Sequence, residues 1–178
     1  ITLSPDGRHA YAAAFHKGLI TLMNRQPATG KLEHVKSITG DHYAGAVAFR
    51  LSPDGKWGAA SAFRSEAVIL FSRNPETGEL TEADHWGGAD RPAFGLEFCV
   101  DNVFSPDGKF LYTVGANSIT CFKVENGKLT HIESRAEAVQ EAGAKREETP
   151  EDELQAEQAL ITSGGRGIAT TPDGKLLL

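Results

Sequence analysis

One tetrapeptide, written four times, constrains this chain more than any other feature. It appears as Ser4-Pro5-Asp6-Gly7, Ser52-Pro53-Asp54-Gly55, Ser105-Pro106-Asp107-Gly108 and, with threonine leading, Thr171-Pro172-Asp173-Gly174. Proline fixes φ at the start of a turn, aspartate hydrogen-bonds the backbone two residues on, and glycine takes positive φ without steric cost. Each copy follows a short apolar-rich run and precedes a basic residue and a second apolar run, as in residues 104–112. That arrangement encodes a β-hairpin.

The prolines at 5, 53, 106 and 172 are 48, 53 and 66 residues apart, a period that belongs to propellers, solenoids or arrays. A second marker fixes the internal register. Gly30-Lys31-Leu32 and Gly78-Glu79-Leu80 each follow the turn glycine by 23 residues, and Gly127-Lys128-Leu129 follows by 19. Each unit then reads as four strands. The first are predicted at 1–3, 46–51, 103–104 and 168–170, and the second at 10–14, 57–62, 110–114 and 176–178. The third, β-branched and aromatic, lie at 19–23, 68–71 and 119–124, and the fourth at 32–35, 80–83 and 129–132. Four short antiparallel strands per repeat make a propeller blade.

The Ser-Pro-Asp-Gly-Lys turns, together with the run Val68-Ile69-Leu70-Phe71-Ser72-Arg73-Asn74-Pro75-Glu76-Thr77-Gly78-Glu79-Leu80-Thr81, resemble the bacterial lactonase-like β-propeller repeat family. Its members include propeller-type 6-phosphogluconolactonases. The resemblance covers nearly the whole chain outside residues 133–163 and departs from the pattern at Asn24-Arg25-Gln26-Pro27 and in the third blade, where the proline turn is lost. It implies an all-β fold, a β-propeller segment of about three and a half four-stranded antiparallel blades, at 1–40, 41–90, 91–132 and, as a half blade, 164–178.

Residues 133–163 break the repeat. Ala, Glu, Gln, Lys and Arg dominate there, which predicts an acidic helical insertion with helices over 135–145 and 150–160, the second started by Thr149-Pro150. Such an insertion is either solvated decoration or an arm over the propeller mouth. Both chain ends fall inside a repeat, which predicts a longer parent chain whose further blades, or a second copy, complete the ring. A targeting signal would then lie outside these residues, so the compartment stays open.

Composition excludes several function classes. A formal charge of −6 gives no basic field for nucleic acid, and no apolar run approaches the roughly 18 residues of a membrane span. Cys99 and Cys121 set no disulfide framework and read as small buried thiols. The glycine-rich Ser163-Gly164-Gly165-Arg166-Gly167 lacks the Lys-Ser/Thr of a phosphate loop, and there is no His-Glu-x-x-His, Cys-x-x-Cys or Gly-x-Ser-x-Gly. The turn aspartates have no further carboxylate at calcium-ligand spacing. No metal or cofactor is expected on these grounds.

Strand order puts both kinds of glycine turn on one face and leaves the variable loops on the other. The variable face therefore holds the candidates. In the second-to-third-strand loops these are His16 and Lys17, then Arg64, Ser65 and Glu66, then Asn117. Between blades they are Asp41, His42 and Tyr43, then Asp84, His85, Trp86, Asp90 and Arg91, then Arg166. A metal-free lactone hydrolase needs a base, for which His42 or His85 suits, and cations for a carboxylate, phosphate or oxyanion, for which Arg64, Arg91 and Arg166 suit. Glu97 and Asp101 precede the third inner strand and are placed to face the channel, and Trp86 offers a stacking surface for a sugar. Trp57 and the phenylalanines are expected between blades.

Three readings follow. The first is a ligand- or protein-binding scaffold, the second a hydrolase opening a sugar lactone, and the third an interaction module docking through the insertion. The partner is then a small sugar or lactone, or a protein.

Overall fold

The computed structural model describes residues 1–116, 118–136 and 167–171, which form three four-stranded antiparallel sheets. The first sheet is β1 (Thr2–Leu3), β2 (His9–Ala14), β3 (Leu19–Arg25) and β4 (Leu32–Thr39); the second is β5 (Ala46–Leu51), β6 (Trp57–Ala62), β7 (Ala67–Arg73) and β8 (Leu80–Gly87). The third is β9 (Asp101–Phe104), β10 (Phe110–Val114), β11 (Ser118–Glu125) and β12 (Lys128–Ala136). Within each sheet neighbours in space are neighbours in sequence, as in a propeller blade. No helix among the described residues is long and apolar enough to cross a membrane.

The repeated tetrapeptide works through its side chains. In the second copy Ser52 Oγ donates to Asp54 Oδ1 at 2.7 Å and accepts the Trp57 amide at 3.0 Å, while Asp54 Oδ1 also accepts the Lys56 amide at 3.1 Å. Gly55, at φ +68°, donates its amide to the Ser52 carbonyl at 2.8 Å. The first and third copies repeat these bonds. Bonds from Ser4 and the Arg8 amide hold the Asp6 carboxyl below its usual range, and Ser105 and the Lys109 amide do the same for Asp107.

Packing runs between sheets rather than within one. On β7, Ala67, Ile69 and Phe71 join Tyr11, Ile20, Leu22 and Phe49 in a core at the first seam. The intervening Val68 and Leu70 join Leu96, Phe104, Leu111 and Phe122 in a core at the second. Period-two alternation thus buries both faces of the central blade, which is why β7 is an unbroken apolar run. A fully buried side chain of this size contributes about 1.5–3 kcal/mol. A register shift recurs opposite Leu22/Met23, Leu70/Phe71 and Cys121/Phe122, where Val35, Ala83 and Ile132 are left unpaired, so each fourth strand carries a bulge at the same place.

The two seams differ at one equivalent position. Arg73, the last residue of β7, is buried and donates to Tyr11 Oη (2.7 Å), the Gly55 carbonyl (3.1 Å) and His9 Nδ1 (2.9 Å). Tyr11 donates in turn to the Gly78 carbonyl at 2.7 Å. Val124 occupies the same place in the third sheet, since its amide bonds the Lys109 carbonyl as the Arg73 amide bonds that of Lys56. It shares a core with Ala59 and Trp57, the counterparts of Tyr11 and His9. One seam is closed by a guanidinium and its acceptors, the next by hydrocarbon.

Several expectations need revising. The outer strands run to Thr39, Gly87 and Ala136, past the predicted ends at 35, 83 and 132. Their added residues are mostly polar, exposed in β4 but half-buried in β8, so hydrophobic alternation does not mark them. Consequently Asp84, His85 and Trp86 belong to β8 and not to a loop between blades, and Arg135 lies in β12. The remainder of the expected insertion, both its helices and the fourth blade beyond Thr171 lie outside the described residues. Ile168 is buried, with its amide 3.4 Å from Asp101 Oδ2. Phe94, in the β8–β9 loop, is exposed rather than packed between blades, whereas Phe98 of the same loop is partly exposed and lies against the Phe63 ring, centroids 5.0 Å apart. Cys99 is buried, which pushes its thiol up to about 12, whereas Cys121 is only half-buried.

Ser52→Ala strands the Trp57 amide and is expected to cost about 1–3 kcal/mol in a thermal or denaturant melt. Ser52→Thr, the residue the fourth copy uses, keeps the hydroxyl and should lose less; equal losses would remove the hydroxyl from the explanation. A second prediction concerns His9, which burial and then Arg73 hold below its ordinary value of 6.5. The unfolded chain takes up a proton that the folded protein refuses, so stability falls as pH drops below 6.5. The melting temperature of wild type should therefore fall more between about pH 7.5 and 5.5 than that of His9→Gln, and parallel profiles would refute the assignment.

Candidate functional site

Antiparallel order sends the β1–β2 and β3–β4 turns, and their counterparts in the other blades, to one face of the molecule. The β2–β3 type loops and the connections between blades emerge on the other. An open cleft of about 900 Å³ lies on this second face. Its lining divides by chemistry into apolar Pro92, Ala93 and Phe94 and ionisable Asp41, His42, Arg64, Glu66, Asp90 and Glu97.

The histidines expected to act separately are brought together. His42, from the β4–β5 loop, stacks on His85 of β8 with ring centroids 3.8 Å apart and planes 20° from parallel. His85 Nε2 is 3.1 Å from Asp90 Oδ2, and His42 Nδ1 is 3.6 Å from Asp90 Oδ1. The other nitrogen of His85 lies 3.6 Å from Glu82 Oε1. Tyr43, buried in the first core, donates its hydroxyl to Glu82 Oε2 at 2.9 Å, and burial followed by that carboxylate raises its phenol. Sequence reasoning expected no metal site here. Two histidines on separate elements and an aspartate in a loop form no motif, and only the fold makes them neighbours.

A second group of charges lies along the same cleft. The Arg64 guanidinium sits 4.9 Å from the Phe15 ring centroid and also borders a smaller cleft of about 230 Å³ that includes His16 and Lys17. Glu66, in the next position but one, has φ +50° and a carboxyl raised from its ordinary value by burial and by the charge of Glu97. Glu97 accepts the Gly95 amide at 2.8 Å. Glu66 stood in the sequence only as one loop residue among many, because its pairing with Glu97 joins two loops of different blades.

Other candidates are engaged elsewhere. Arg91 lies 3.9 Å above the Trp86 ring and donates to Asp84 Oδ1 (3.0 Å) and the His85 carbonyl (2.7 Å). Asp84 Oδ2 accepts the Leu129 amide at 2.8 Å, and Trp86 Nε1 donates to the Leu129 carbonyl at 2.9 Å. Together these groups fasten the second sheet to the third. Asp101, nearly buried, accepts Arg50 at 3.0 Å and so joins inner strands β5 and β9. Asn117 and Arg166 lie outside the described residues.

Comparison with known proteins agrees with this architecture. A sequence profile of the family described as "Lactonase, 7-bladed beta-propeller" matches residues 1–101. No curated protein matches the chain by sequence. Among solved structures, a candidate 6-phosphogluconolactonase from Bacteroides uniformis ATCC 8492 is 27% identical with a TM-score of 0.62 over 75% of this chain and 39% of that one. The periplasmic gluconolactonase PpgL of Pseudomonas aeruginosa is 21% identical, with a TM-score of 0.63 over 74% and 38%. Sqt1 of Saccharomyces cerevisiae, 12% identical, gives 0.60 over 76% and 34%, a likeness of fold alone. The chain spans about two-fifths of the length of the first of these structures. With more than half of its residues inside the matched region and its three sheets built as successive blades, the chain belongs to the seven-bladed β-propeller lactonase family.

Proposed function

We propose that the loop-face cleft binds a small sugar-type lactone and contributes to its hydrolysis. The observation that carries this reading is the convergence of Arg64, Glu66 and Glu97 on one open cleft in a member of a lactonase family. A carboxylate whose proton affinity is raised is a better base near neutrality than an ordinary one. Glu66 takes a proton from water as the water oxygen bonds to the lactone carbonyl carbon, leaving a tetrahedral oxyanion. Arg64 offers its guanidinium to that oxyanion or to a phosphate or carboxylate on the substrate. Collapse breaks the ring carbon–oxygen bond, and the proton on Glu66 passes to the departing ring oxygen to give the hydroxy acid. Glu97 is a positioning residue that keeps Glu66 raised. Glu66 is preferred to the histidines as base because both nitrogens of His85 and Nδ1 of His42 already face carboxylates.

Proton release from glucono-1,5-lactone and its 6-phosphate, measured on the complete gene product, tests the reading. Glu66→Gln should lower kcat about 10²–10⁴-fold with little change in KM. Arg64→Ala should raise KM for the phosphorylated lactone about tenfold or more, since a hydrogen bond to a charged group is worth about 1.5–3 kcal/mol. The kcat/KM profile should show an acidic limb above the ordinary carboxyl value of 4.5. No turnover above buffer, or full turnover by Glu66→Gln, would overturn it; binding without turnover would leave the cleft as a recognition surface only.

A further inference from the structure

We infer that the smaller cleft of the loop face is a binding site for a dianionic phosphoryl group, with Lys17 and His16 as its principal donors and Arg64 at its border. The inference does not rest on the lactonase reading, which places the chemistry in the larger cleft. The smaller cleft holds about 230 Å³, and among the described residues its ionisable lining consists of His16, Lys17 and Arg64, with Thr39 adding a hydroxyl. No carboxylate of the described residues lines it, although acidic residues outnumber basic ones 24 to 18 in the chain. Asp41 and Glu66 line the larger cleft together with Asp90 and Glu97. Arg64 borders both, so it divides an acidic cleft from a basic one.

The backbone fixes the walls of the smaller cleft. Gly18 closes the β2–β3 loop at φ +56°, and a Cβ there would come 2.8 Å from the Tyr43 carbonyl oxygen. Gly45, at φ +73°, leaves less room still, since its Cβ would lie 2.6 Å from the Arg64 amide nitrogen. The β4–β5 connection is thus clamped between the β2–β3 and β6–β7 loops. Its Ala44 carbonyl accepts the amides of Arg64 and Ser65, each at 3.1 Å, and its Gly45 carbonyl accepts that of Phe63 at 3.0 Å. Walls held in this way need little ordering when a ligand enters. Donor chemistry then selects the ligand. Lys17 supplies a point charge, and His16 offers a ring N–H in either protonation state. A phosphate monoester near pH 7 carries close to two negative charges and three acceptor oxygens, whereas a carboxylate carries one charge on two oxygens. Inorganic phosphate and a small phosphate ester share the selected chemistry.

The test is calorimetric binding to the complete gene product at pH 7 and constant ionic strength, with inorganic phosphate and glycerol 3-phosphate as probes and acetate as the control. At least one phosphate probe should bind in one equivalent with a Kd of about 1 mM or lower, and acetate at least about tenfold more weakly. Lys17 and His16 are exposed loop residues, so Lys17→Gln and His16→Gln should leave the thermal melt in place. Lys17→Gln should weaken phosphate about tenfold, the double variant further, and Lys17→Arg should retain most of the affinity. Tighter binding of the ester marks a phosphorylated metabolite as the ligand and the reverse order free phosphate, and either result supports the site. No binding of either probe by the wild type at ten times that concentration, equal affinity for acetate, or binding unchanged in the double variant would overturn it.

Discussion

Alternate side chains of β7 leave its backbone in opposite directions, and each set meets a different neighbouring sheet. Hydrophobic burial in this molecule is therefore a property of seams, and a blade on its own would have two apolar faces and no interior. The backbone hydrogen bonds run within sheets while the apolar contacts run between them, so the two kinds of cohesion are nearly orthogonal. That separation lets the loop face vary. Connections at the ends of the strands lend a few residues to the cores, Tyr43, Leu96 and Cys99 among them, and many of their other positions can be chosen for chemistry.

The cleft shows how this freedom is used. Its ionisable groups come from three connections, with His85 of one strand stacked beside them, and the functional pairs are not neighbours in sequence. Loops from adjacent blades meet because the seams below them fix the spacing of the strands. The His42–His85 stack depends on a loop after the first blade reaching the last turns of β8, and Glu66 meets Glu97 across the second seam. The rigid part of the protein is the part with no chemistry, and it positions the part that has it.

Much of the fold was legible in the sequence because turns and inner strands carry strong local signals. The Ser-Pro-Asp-Gly copies mark the β1–β2 turn and its equivalents, and the Val68–Phe71 run marks the central strand. The outer strands were read short because their last residues are mostly polar: in β4 they face solvent, and in β8 they are held by polar contacts to the next sheet, so neither carries hydrophobic alternation. That error put Asp84, His85 and Trp86 in a loop. The face carrying the cleft was also legible, since it follows from antiparallel order. The pairings on it were not, because contacts across a seam depend on the bulges and on sheet twist, neither of which leaves a mark in composition. Arg91 and Trp86 illustrate the limit: both lie near the right face, but their partners are each other, Asp84 and the backbone of the next sheet.

The change from Arg73 to Val124 at equivalent seam positions has a consequence for assembly. Repeated sheets of similar shape invite the wrong neighbour to dock during folding. Were the third sheet to dock on the first, Val124 would leave the Tyr11 hydroxyl and the His9 nitrogen without the guanidinium that they meet in the native seam. Were the second to dock in place of the third, Arg73 would be buried against Trp57 and Ala59 with only the Gly55 carbonyl of its own sheet, losing Tyr11 and His9. Each mistake strands buried polar groups, at about 1–3 kcal/mol apiece and more for the charged one. The seams thus carry an address as well as adhesion, and the order of the blades is written in which ones share polar groups and which share hydrocarbon.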